Sequence, residues 1–245
     1  MTSPFGQKRV IVTGASSGIG LALARRLDAQ GADLMAIGRR AAADLPPDFP
    51  QIGKKVAYQS LDISAGDAGP RLAAMIAARG WDSLDLIIHD AGTGHYRPVA
   101  AEDAASIAAV IATNCFGPIA ITHALAPQLA KAGGAAVFVG SAAHKGASGF
   151  PVYAATKGAL AGFARALRSE WQGRIGVQIL HPGPTQTAMH DRAGHDPGRL
   201  RALFLSADDA AAVMLRQIAA GRSPQKTGHA ALWRMRGAQM LAGTK

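Results

Sequence analysis

The chain has 245 residues, 49% of them hydrophobic and 17% charged, without a linker, repeat or low-complexity tail, which favours one domain over residues 1–245. Its net charge of +10 favours anionic partners, but the basic residues are scattered, so we expect a phosphorylated cofactor and not nucleic acid. The single Cys115 excludes an internal disulfide, and residues 1–7 lack an apolar signal segment, so a reducing, cytoplasmic location is expected.

The first strong pattern is a glycine-rich turn at residues 13–20, Thr-Gly-Ala-Ser-Ser-Gly-Ile-Gly. It follows an apolar run typical of a strand and precedes a helical pattern with Ile19, Leu23 and Leu27 on one face. A helix that begins in such a turn binds phosphate through its free amides, and glycines let the anion approach closely. The pattern predicts a dinucleotide site that includes Gly14, Ser16, Ser17, Gly18, Ile19 and Gly20.

The end of the second predicted strand, residues 33–38, bears on the choice of cofactor. About 20 residues after the glycine turn, an acidic side chain would bind a ribose 2′-OH, whereas a cation complements a 2′-phosphate. This sequence has Arg39 and Arg40 there. The pair favours NADP(H), with NAD(H) as the alternative.

Two more predicted strands end in small or polar residues. Residues 55–61 predict the third strand, after which Asp62 either receives the adenine or caps a helix at residues 69–79. Residues 84–89 predict the fourth strand, and the turn Asp90-Ala91-Gly92 follows it at an edge where such sheets admit ligands. His89 and His95 are not spaced with other ligands, so no metal site is predicted.

A long helical segment comes next. Residues 104–130 contain no Asp, Glu, Lys or Arg, which by length alone would permit a membrane span. Polar and helix-breaking residues interrupt the segment, so we predict a helix between the core and a second subunit of a homodimer or homotetramer, and no membrane partner. Pro118 cannot donate to the Asn114 carbonyl, which predicts a kink there.

A possible acid/base pair follows the fifth predicted strand, residues 135–140. Ser141 stands at the end of this strand, and Tyr153 and Lys157 lie four residues apart on the next helix, so they share one face. A lysine there can stabilise a tyrosinate and make the phenol a usable acid/base. Such pairs also occur as plain surface pairs, and the nearby serine and nucleotide turn favour the catalytic interpretation.

The sixth predicted strand, residues 176–180, leads to a rigid turn with Pro182 and Gly183, followed by the hydroxyls of Thr185 and Thr187. Residues 188–205 show no firm periodicity and are interpreted as a substrate lid. A helix is predicted at residues 208–220. Candidate residues for the substrate pocket are His144, Lys145, Phe150, Met189 and His190.

In combination, these motifs resemble the single-domain branch of the short-chain dehydrogenase/reductase family over residues 8–220. The glycine turn matches the cofactor motif of that family, residues 90–92 are similar to its Asn-Ala-Gly turn, and residues 182–183 match its Pro-Gly turn. The resemblance implies an α/β fold: a Rossmann-type doubly wound parallel sheet of six or seven strands with helices on both faces. The residues that match its catalytic tetrad are Asn114, Ser141, Tyr153 and Lys157.

The resemblance also implies an activity, hydride transfer between NADP(H) and a small-molecule carbonyl or secondary alcohol. Tyr153 would be the proton donor or base, and Ser141 would hydrogen-bond the substrate oxygen. Lys157 would hold the nicotinamide ribose, and Asn114 would anchor a water in a proton relay. The implied cofactor contacts beyond the glycine turn and the arginine pair are Asp62, Ile63, Asp90, Ala91, Gly92, Tyr153, Lys157, Pro182, Gly183, Thr185 and Thr187.

Two features depart from the family pattern. Asp90 replaces the usual asparagine, which removes an amide donor and adds a possible charge near the cofactor. The tail lacks the usual Gly-Gly-ended last strand, so either residues 229–233 form the seventh strand or no seventh strand exists.

Two other functions compete with the oxidoreductase. A regulator that senses NADP(H) without turnover would need the phosphate contacts but no acid, so the intact Ser141, Tyr153 and Lys157 set argues against it. A sugar-nucleotide epimerase of the extended type would need a separate substrate domain, for which the chain is short.

Overall fold

A seven-stranded parallel sheet forms the centre of the protein in a computed structural model that describes residues 3–189, 193–194 and 198–242. A separate two-stranded ribbon is formed by β7 and β8. The strands are β1 (Arg9–Thr13), β2 (Asp33–Gly38), β3 (Val56–Ser60), β4 (Leu86–His89), β5 (Ala135–Val139), β6 (Gly176–Pro182), β7 (Thr185–Gln186), β8 (Leu205–Ser206) and β9 (Gln225–Thr227).

The order in the main sheet is β3-β2-β1-β4-β5-β6-β9, so the winding direction reverses between β1 and β4. Ligands of doubly wound sheets bind at such a reversal, outside the carboxyl ends of the strands. The register brings these ends together, since Thr13 pairs with Ile37 on one side and with His89 on the other. The sheet therefore places the residues after β1, β2, β4, β5 and β6 along one edge.

Helices cover both faces of the sheet. On β1 the side chains alternate: Val10 and Val12 pack into the core on the side of α1, whereas Ile11 packs into the core on the side of α2, α4 and α5. Both cores are built largely from fully buried aliphatic residues. The helices are α1 (Gly18–Ala29), α2 (Ala68–Ala78), α3 (Ala104–Ile111), α4 (Gly117–Ala132), α5 (Pro151–Glu170), α6 (Ala207–Ala219) and α7 (His229–Ala242).

The seventh strand exists, but not where the sequence suggested. It is Gln225–Thr227, which pairs in parallel with residues 180–182 of β6. Residues 229–233 belong to α7, so their assignment as a strand is wrong. The true strand has only three residues and a polar sequence, and its position depends on pairing with β6 and not on an apolar pattern of its own.

The uncharged segment lies within a continuous helix, Ala104–Ala132, which by length and hydropathy is the one helix among the described residues that qualifies as a possible membrane span. The predicted irregularity near Asn114 is a π-helical turn, Ala112–Phe116, between α3 and α4. One side of the helix packs on α2 and α5, where Asn114 and Ile121 are fully buried. Ile111 and Phe116 are each 46% exposed.

The described residues of the predicted lid segment, 188–205, include regular structure. A 3₁₀ turn at Gly198–Leu203 leads into β8, and β8 pairs with β7 just after the Pro182-Gly183 turn. His190 and residues 191–192 and 195–197 lie outside the described residues. The described part of the segment therefore returns to the carboxyl edge of the sheet.

Candidate active site

The glycine-rich turn lies at the carboxyl end of β1, where α1 begins. Ser17 is the N-cap residue of α1 but its side chain makes no capping hydrogen bond, and the first turn of α1 contains no acidic residue. The Gly20 amide faces the Asp90 carboxyl, and among the described residues no acidic side chain of α1 itself competes with an outside anion for the amides of this first turn.

Two glycines of this turn are required by close backbone contacts. A Cβ on Gly14 would lie 2.8 Å from the Ala91 backbone. A Cβ on Gly20 would meet the Gly14 carbonyl oxygen at 2.4 Å, too close for any side chain. The Ala91 amide also donates to Thr13 Oγ1 at 3.2 Å, which ties the glycine turn to the loop after β4. The turn thus forms an open backbone cradle of the kind that fits a diphosphate.

Arg39 and Arg40 follow β2 and line the same cavity as the glycine turn. Both are exposed, and within the described ranges no carboxylate lies within salt-bridge distance of either guanidinium. Tyr58 of β3 donates its hydroxyl proton to the Arg40 carbonyl at 2.8 Å, and the Ser16 hydroxyl lies close to the Tyr58 hydroxyl. A Cβ on Gly38 would lie 2.7 Å from that hydroxyl. Tyr58 therefore fixes the arginine pair against the glycine turn.

Asp62 is held at the cavity and does not cap α2, whose N-cap residue is Asp67. Its Oδ1 accepts from the Ser64 hydroxyl at 2.7 Å and from the Ser64 amide at 3.0 Å. The Ser64 hydroxyl is the main reason why the pKa of Asp62 is lowered from its ordinary value. Of the two interpretations of Asp62, the helix cap is thus wrong.

Lys157 and Tyr153 lie on one face of α5, as their spacing predicted. Lys157 is only 4% exposed, and its Nζ donates to the Val139 carbonyl at 2.8 Å, at the end of β5. The ring centroid of Tyr153 lies 5.5 Å from that Nζ. A buried ammonium is tolerated because it is hydrogen-bonded, so the end of β5 fixes the position of the cation.

Asn114 is fully buried in the π-helical turn and supports the loop after β4. Its Nδ2 donates to the Thr93 carbonyl at 2.8 Å and to Thr156 Oγ1 at 3.0 Å, and its Oδ1 accepts from the Thr93 amide at 2.9 Å. A Cβ on Gly92 would lie 3.4 Å from Asn114 Oδ1 and 3.5 Å from Lys157 Nζ. Asn114 thus lies behind this loop, next to the lysine, and does not itself line the cavity.

Ser141 follows β5, and its backbone carbonyl is held by two imidazoles. His144 Nδ1 lies 2.8 Å and His181 Nδ1 lies 3.1 Å from this oxygen, so each Nδ1 must carry a proton. The two rings stack with centroids 3.9 Å apart. Burial lowers the pKa of His181, and His144 adds to this effect. The Ser141 hydroxyl oxygen accepts from the Ala143 amide at 3.1 Å.

The remaining candidate groups, His89 and Cys115, lie in surroundings that favour a structural role over a catalytic one. His89 is buried, bonds Thr122 through Nε2 at 2.9 Å, and has a pKa lowered to about 3 by burial, so it is neutral. Burial raises the pKa of the Cys115 thiol, which disfavours a nucleophilic thiolate. Over the described ranges, no group of three or more His, Cys, Asp or Glu side chains is arranged to hold a metal ion.

A cavity of about 690 Å³ unites these features at the carboxyl edge of the sheet. Phe150 and Met189 line it as well, whereas His144 and Lys145 do not, and Gly20 and Asn114 lie behind its wall. The predicted site residues that line the cavity are Gly14, Ser16, Ser17, Gly18, Ile19, Arg39, Arg40, Asp62, Ile63, Asp90, Ala91, Gly92, Ser141, Tyr153, Lys157, Pro182, Gly183, Thr185 and Thr187.

Several lining residues were not identified from the sequence. Most of them are the last residues of predicted strands or lie within four residues after them, so treating the whole carboxyl end of each strand as part of the site would have found them. Tyr96 and Phe204 come from loops without a recognisable pattern. The complete set is Ile37, Gly38, Leu61, Tyr96, Thr113, Val139, Gly140, Ala142, Ala143, Ser148, Pro184 and Phe204.

Comparison with protein families agrees with this geometry. The family model described as short chain dehydrogenase matches residues 8–198. The chain belongs to the short-chain dehydrogenase/reductase family. It is therefore an oxidoreductase that acts on alcohol or carbonyl groups with NAD(P), built on the Rossmann-like fold of that family.

Three similar proteins illustrate the relationship. Serine 3-dehydrogenase of Agrobacterium fabrum is 33% identical over 184 residues, covering 73% of this chain and 72% of the relative. Galactitol 2-dehydrogenase (L-tagatose-forming) of Cereibacter sphaeroides is 34% identical over 189 residues, covering 73% of this chain and 71% of the relative. A short chain dehydrogenase from Escherichia coli CFT073, crystallised with NADPH, superposes with a TM-score of 0.80 at 26% identity, covering 92% of this chain and 98% of that chain.

The close contact at Gly20 leads to a first prediction for this short-chain dehydrogenase/reductase. Gly20→Ala must displace the Gly14 carbonyl, so we expect a loss of about 1–3 kcal/mol in the free energy of unfolding and weaker NADPH binding. Gly162→Ala is the control, because a Cβ at this helical position meets nothing within 4 Å. Urea unfolding and NADPH fluorescence titration measure both effects. Equal stability and affinity in the two variants would contradict the conclusion that the backbone cradle leaves no room for a side chain at position 20.

Proposed function

We propose that this enzyme is an NADP(H)-dependent carbonyl reductase or secondary-alcohol dehydrogenase in which Tyr153 is the acid/base. The observation that carries the proposal is that Ser141, Tyr153 and Lys157 line the same cavity as the glycine turn and the arginine pair. When bound there, the nicotinamide ring supplies or accepts the hydride. The remaining chemistry is the placement of a substrate oxygen and the transfer of its proton.

The residues present fit a phosphorylated dinucleotide. The open glycine cradle and the amides of α1 suit the diphosphate. The exposed guanidiniums of Arg39 and Arg40 suit a 2′-phosphate, and Tyr58 holds the Arg40 carbonyl in place. Asp62 and Ile63 suit the adenine, and Thr187, which lies beside Gly18, suits the carboxamide end.

We propose catalytic roles that the family resemblance implies and that the positions of the side chains support. Tyr153 gives its phenol proton to a carbonyl oxygen in reduction and takes a proton from the alcohol in oxidation. The Ser141 hydroxyl donates a hydrogen bond to the same oxygen. Lys157 stabilises the tyrosinate and binds the nicotinamide ribose. Asn114 supports the proton relay beside Lys157, where the π-helical turn alters the backbone hydrogen-bond pattern.

The substrate half of the cavity suits a molecule with an apolar body. Tyr96 and Phe150 have ring centroids 4.9 Å apart, and Phe150 lies 5.6 Å from the Tyr153 ring. Met189 and Phe204 approach from either end of residues 188–205, which we propose to be a substrate lid. The serine and galactitol dehydrogenases show that similar proteins oxidise small polar alcohols, so a test must include both classes.

Tyr153→Phe tests the proposed reaction. We expect NADPH oxidation with at least one member of a panel of aliphatic, aromatic and hydroxylated ketones, and a fall in kcat of about 10²–10⁴-fold in the variant, because the acid/base is lost. NADPH affinity should change by less than about threefold, because the phenol acts mainly in the transition state. Stopped-flow turnover and fluorescence titration measure the two quantities.

Tyr96→Phe is the matched control for Tyr153→Phe, because it removes the other phenol of the cavity. We expect it to change kcat by no more than about tenfold, as for a contact outside the reacting groups. Full activity of Tyr153→Phe would refute its role. If the wild type binds NADPH but turns over no ketone or alcohol, the alternative function is favoured, a regulator that senses NADP(H) without catalysis.

Arg39→Ala tests the preference for NADP(H). Losing a charge-assisted contact to the 2′-phosphate should weaken NADPH binding by about 10–100-fold, with little effect on NADH, which lacks that phosphate. Arg25→Ala removes an exposed arginine paired with Asp48 and is the control for net charge. Dissociation constants for both cofactors decide the question. Equal weakening of NADPH and NADH would contradict the assignment.

We also propose that the protein is a homodimer or homotetramer in a reducing, cytoplasmic compartment. The exposed Ile111 and Phe116 on the uncharged helix support a subunit interface, and Ile111→Glu should lower the mass in solution. Ile52→Glu is the control, since Ile52 is 52% exposed elsewhere on the surface. Light scattering at micromolar protein tests both variants. A monomeric wild type would refute the interface.

A further inference from the structure

Asp90 is the implied cofactor contact whose side chain departs from the family pattern, which usually has asparagine there. It follows β4 and lines the cavity together with the glycine turn. A Cβ built on Gly20 would lie 2.8 Å from Asp90 Oδ2, and the Gly20 amide stabilises the ionised carboxyl. The carboxylate therefore interacts with the first turn of α1, the same turn whose other amides suit a diphosphate.

The surroundings of Asp90 leave its ionisation finely balanced. Burial raises its pKa to about 7, while the Lys157 ammonium and the Gly20 amide act in the opposite direction. The neighbouring His89 is neutral and bonded to Thr122. The other titratable side chains that line the cavity are Arg39, Arg40, Asp62, Tyr96, Tyr153 and Lys157.

We propose that Asp90 links cofactor binding to proton uptake: the protein takes one proton from solvent onto the Asp90 carboxylate when it binds NADP(H) or NAD(H). This inference rests on the proposed function of the cavity as a dinucleotide site. An ionised Asp90 and the diphosphate would both be stabilised by the positive end of the α1 dipole. The two anions would therefore lie close together and repel each other. A protonated Asp90 is neutral, and the repulsion disappears.

The linkage has a definite sign. Binding favours the protonated carboxyl, so affinity is highest below the pKa of free Asp90 and falls as pH rises above about 7. Linkage of one proton makes the apparent Kd rise by up to about tenfold per pH unit above that value. Asparagine at this position carries no charge and removes the dependence. The Asp90 carboxyl thereby makes the cofactor site sensitive to pH, and a neutral amide at position 90 does not.

The experiment compares wild type, Asp90→Asn and Asp62→Asn by fluorescence titration with NADPH and NADH between pH 6 and 9. We expect Kd to rise steeply above pH 7 in wild type and to stay nearly flat in Asp90→Asn, which should bind more tightly than wild type at pH 8.5. Asp62→Asn is the matched control, because the lowered pKa of Asp62 keeps it ionised throughout, so the slope should persist. NADH has no 2′-phosphate, so the titration with NADH shows whether ionisation of that phosphate contributes to the pH dependence.

Calorimetry of the unmodified enzyme keeps the test independent of how the variants fold. Titration with NADH at pH 7.5 in phosphate and in Tris, which differ in ionisation enthalpy, should show net proton uptake by wild type. Proton release, no proton exchange, or equal pH slopes in wild type and Asp90→Asn would overturn the role of Asp90 while leaving the dinucleotide site intact. Failure of wild type to bind either cofactor at any pH would overturn the proposed function itself.

Discussion

The buried ammonium of Lys157 is the interaction on which the rest of the site depends. A buried charge without a partner is strongly unfavourable, so the hydrogen bond from Lys157 to the Val139 carbonyl both stabilises the cation and fixes it at the end of β5. Tyr153 lies one helical turn away, and a Cβ on Gly92 would lie 3.5 Å from the ammonium nitrogen and 3.4 Å from Asn114 Oδ1. The lysine thereby fixes the relative positions of α5, β5 and the loop after β4.

The Lys157 ammonium also affects the ionisation of neighbouring groups in and around the cavity. It acts to lower the pKa values of Asp90, Cys115 and His181, although burial outweighs it at Asp90 and Cys115. A thiol and a buried imidazole therefore stay neutral near it, while burial raises the pKa of the Asp90 carboxyl to about 7. A fixed positive charge beside neutral groups suits an anionic dinucleotide, and the Asp90 carboxylate is the group that opposes it.

Much of this arrangement was predictable from the sequence because parallel strands bring their carboxyl ends to one edge. The glycine turn, Arg39, Asp62 and Ser141 were all identified as residues that follow strands, and the structure places them around one cavity. The three-residue β9 was not predictable, because its polar sequence has no period and depends on the partner strand β6. A strand that short is determined by tertiary pairing.

Contacts between residues far apart in the chain were also beyond the sequence. Tyr58 reads simply as a strand residue, and only the pairing of β3 with β2 brings its hydroxyl to the Arg40 carbonyl. His144 was interpreted as a pocket residue and His181 as part of a turn. Their meeting on the Ser141 carbonyl depends on the pairing of β5 with β6, which no spacing in the sequence encodes.

This histidine pair also bears on which group makes the site sensitive to pH. Each imidazole already donates from Nδ1 to the Ser141 carbonyl, and protonation adds a proton at Nε2, which leaves that donor in place. Burial is the main cause of the lowered pKa of His181, so this ring stays neutral while it stacks on His144. The hold on Ser141 therefore persists through the neutral range. Asp90 differs, because loss of its proton creates a new anion beside the backbone cradle that fits the diphosphate. We therefore expect a change of pH to affect the cofactor site through Asp90.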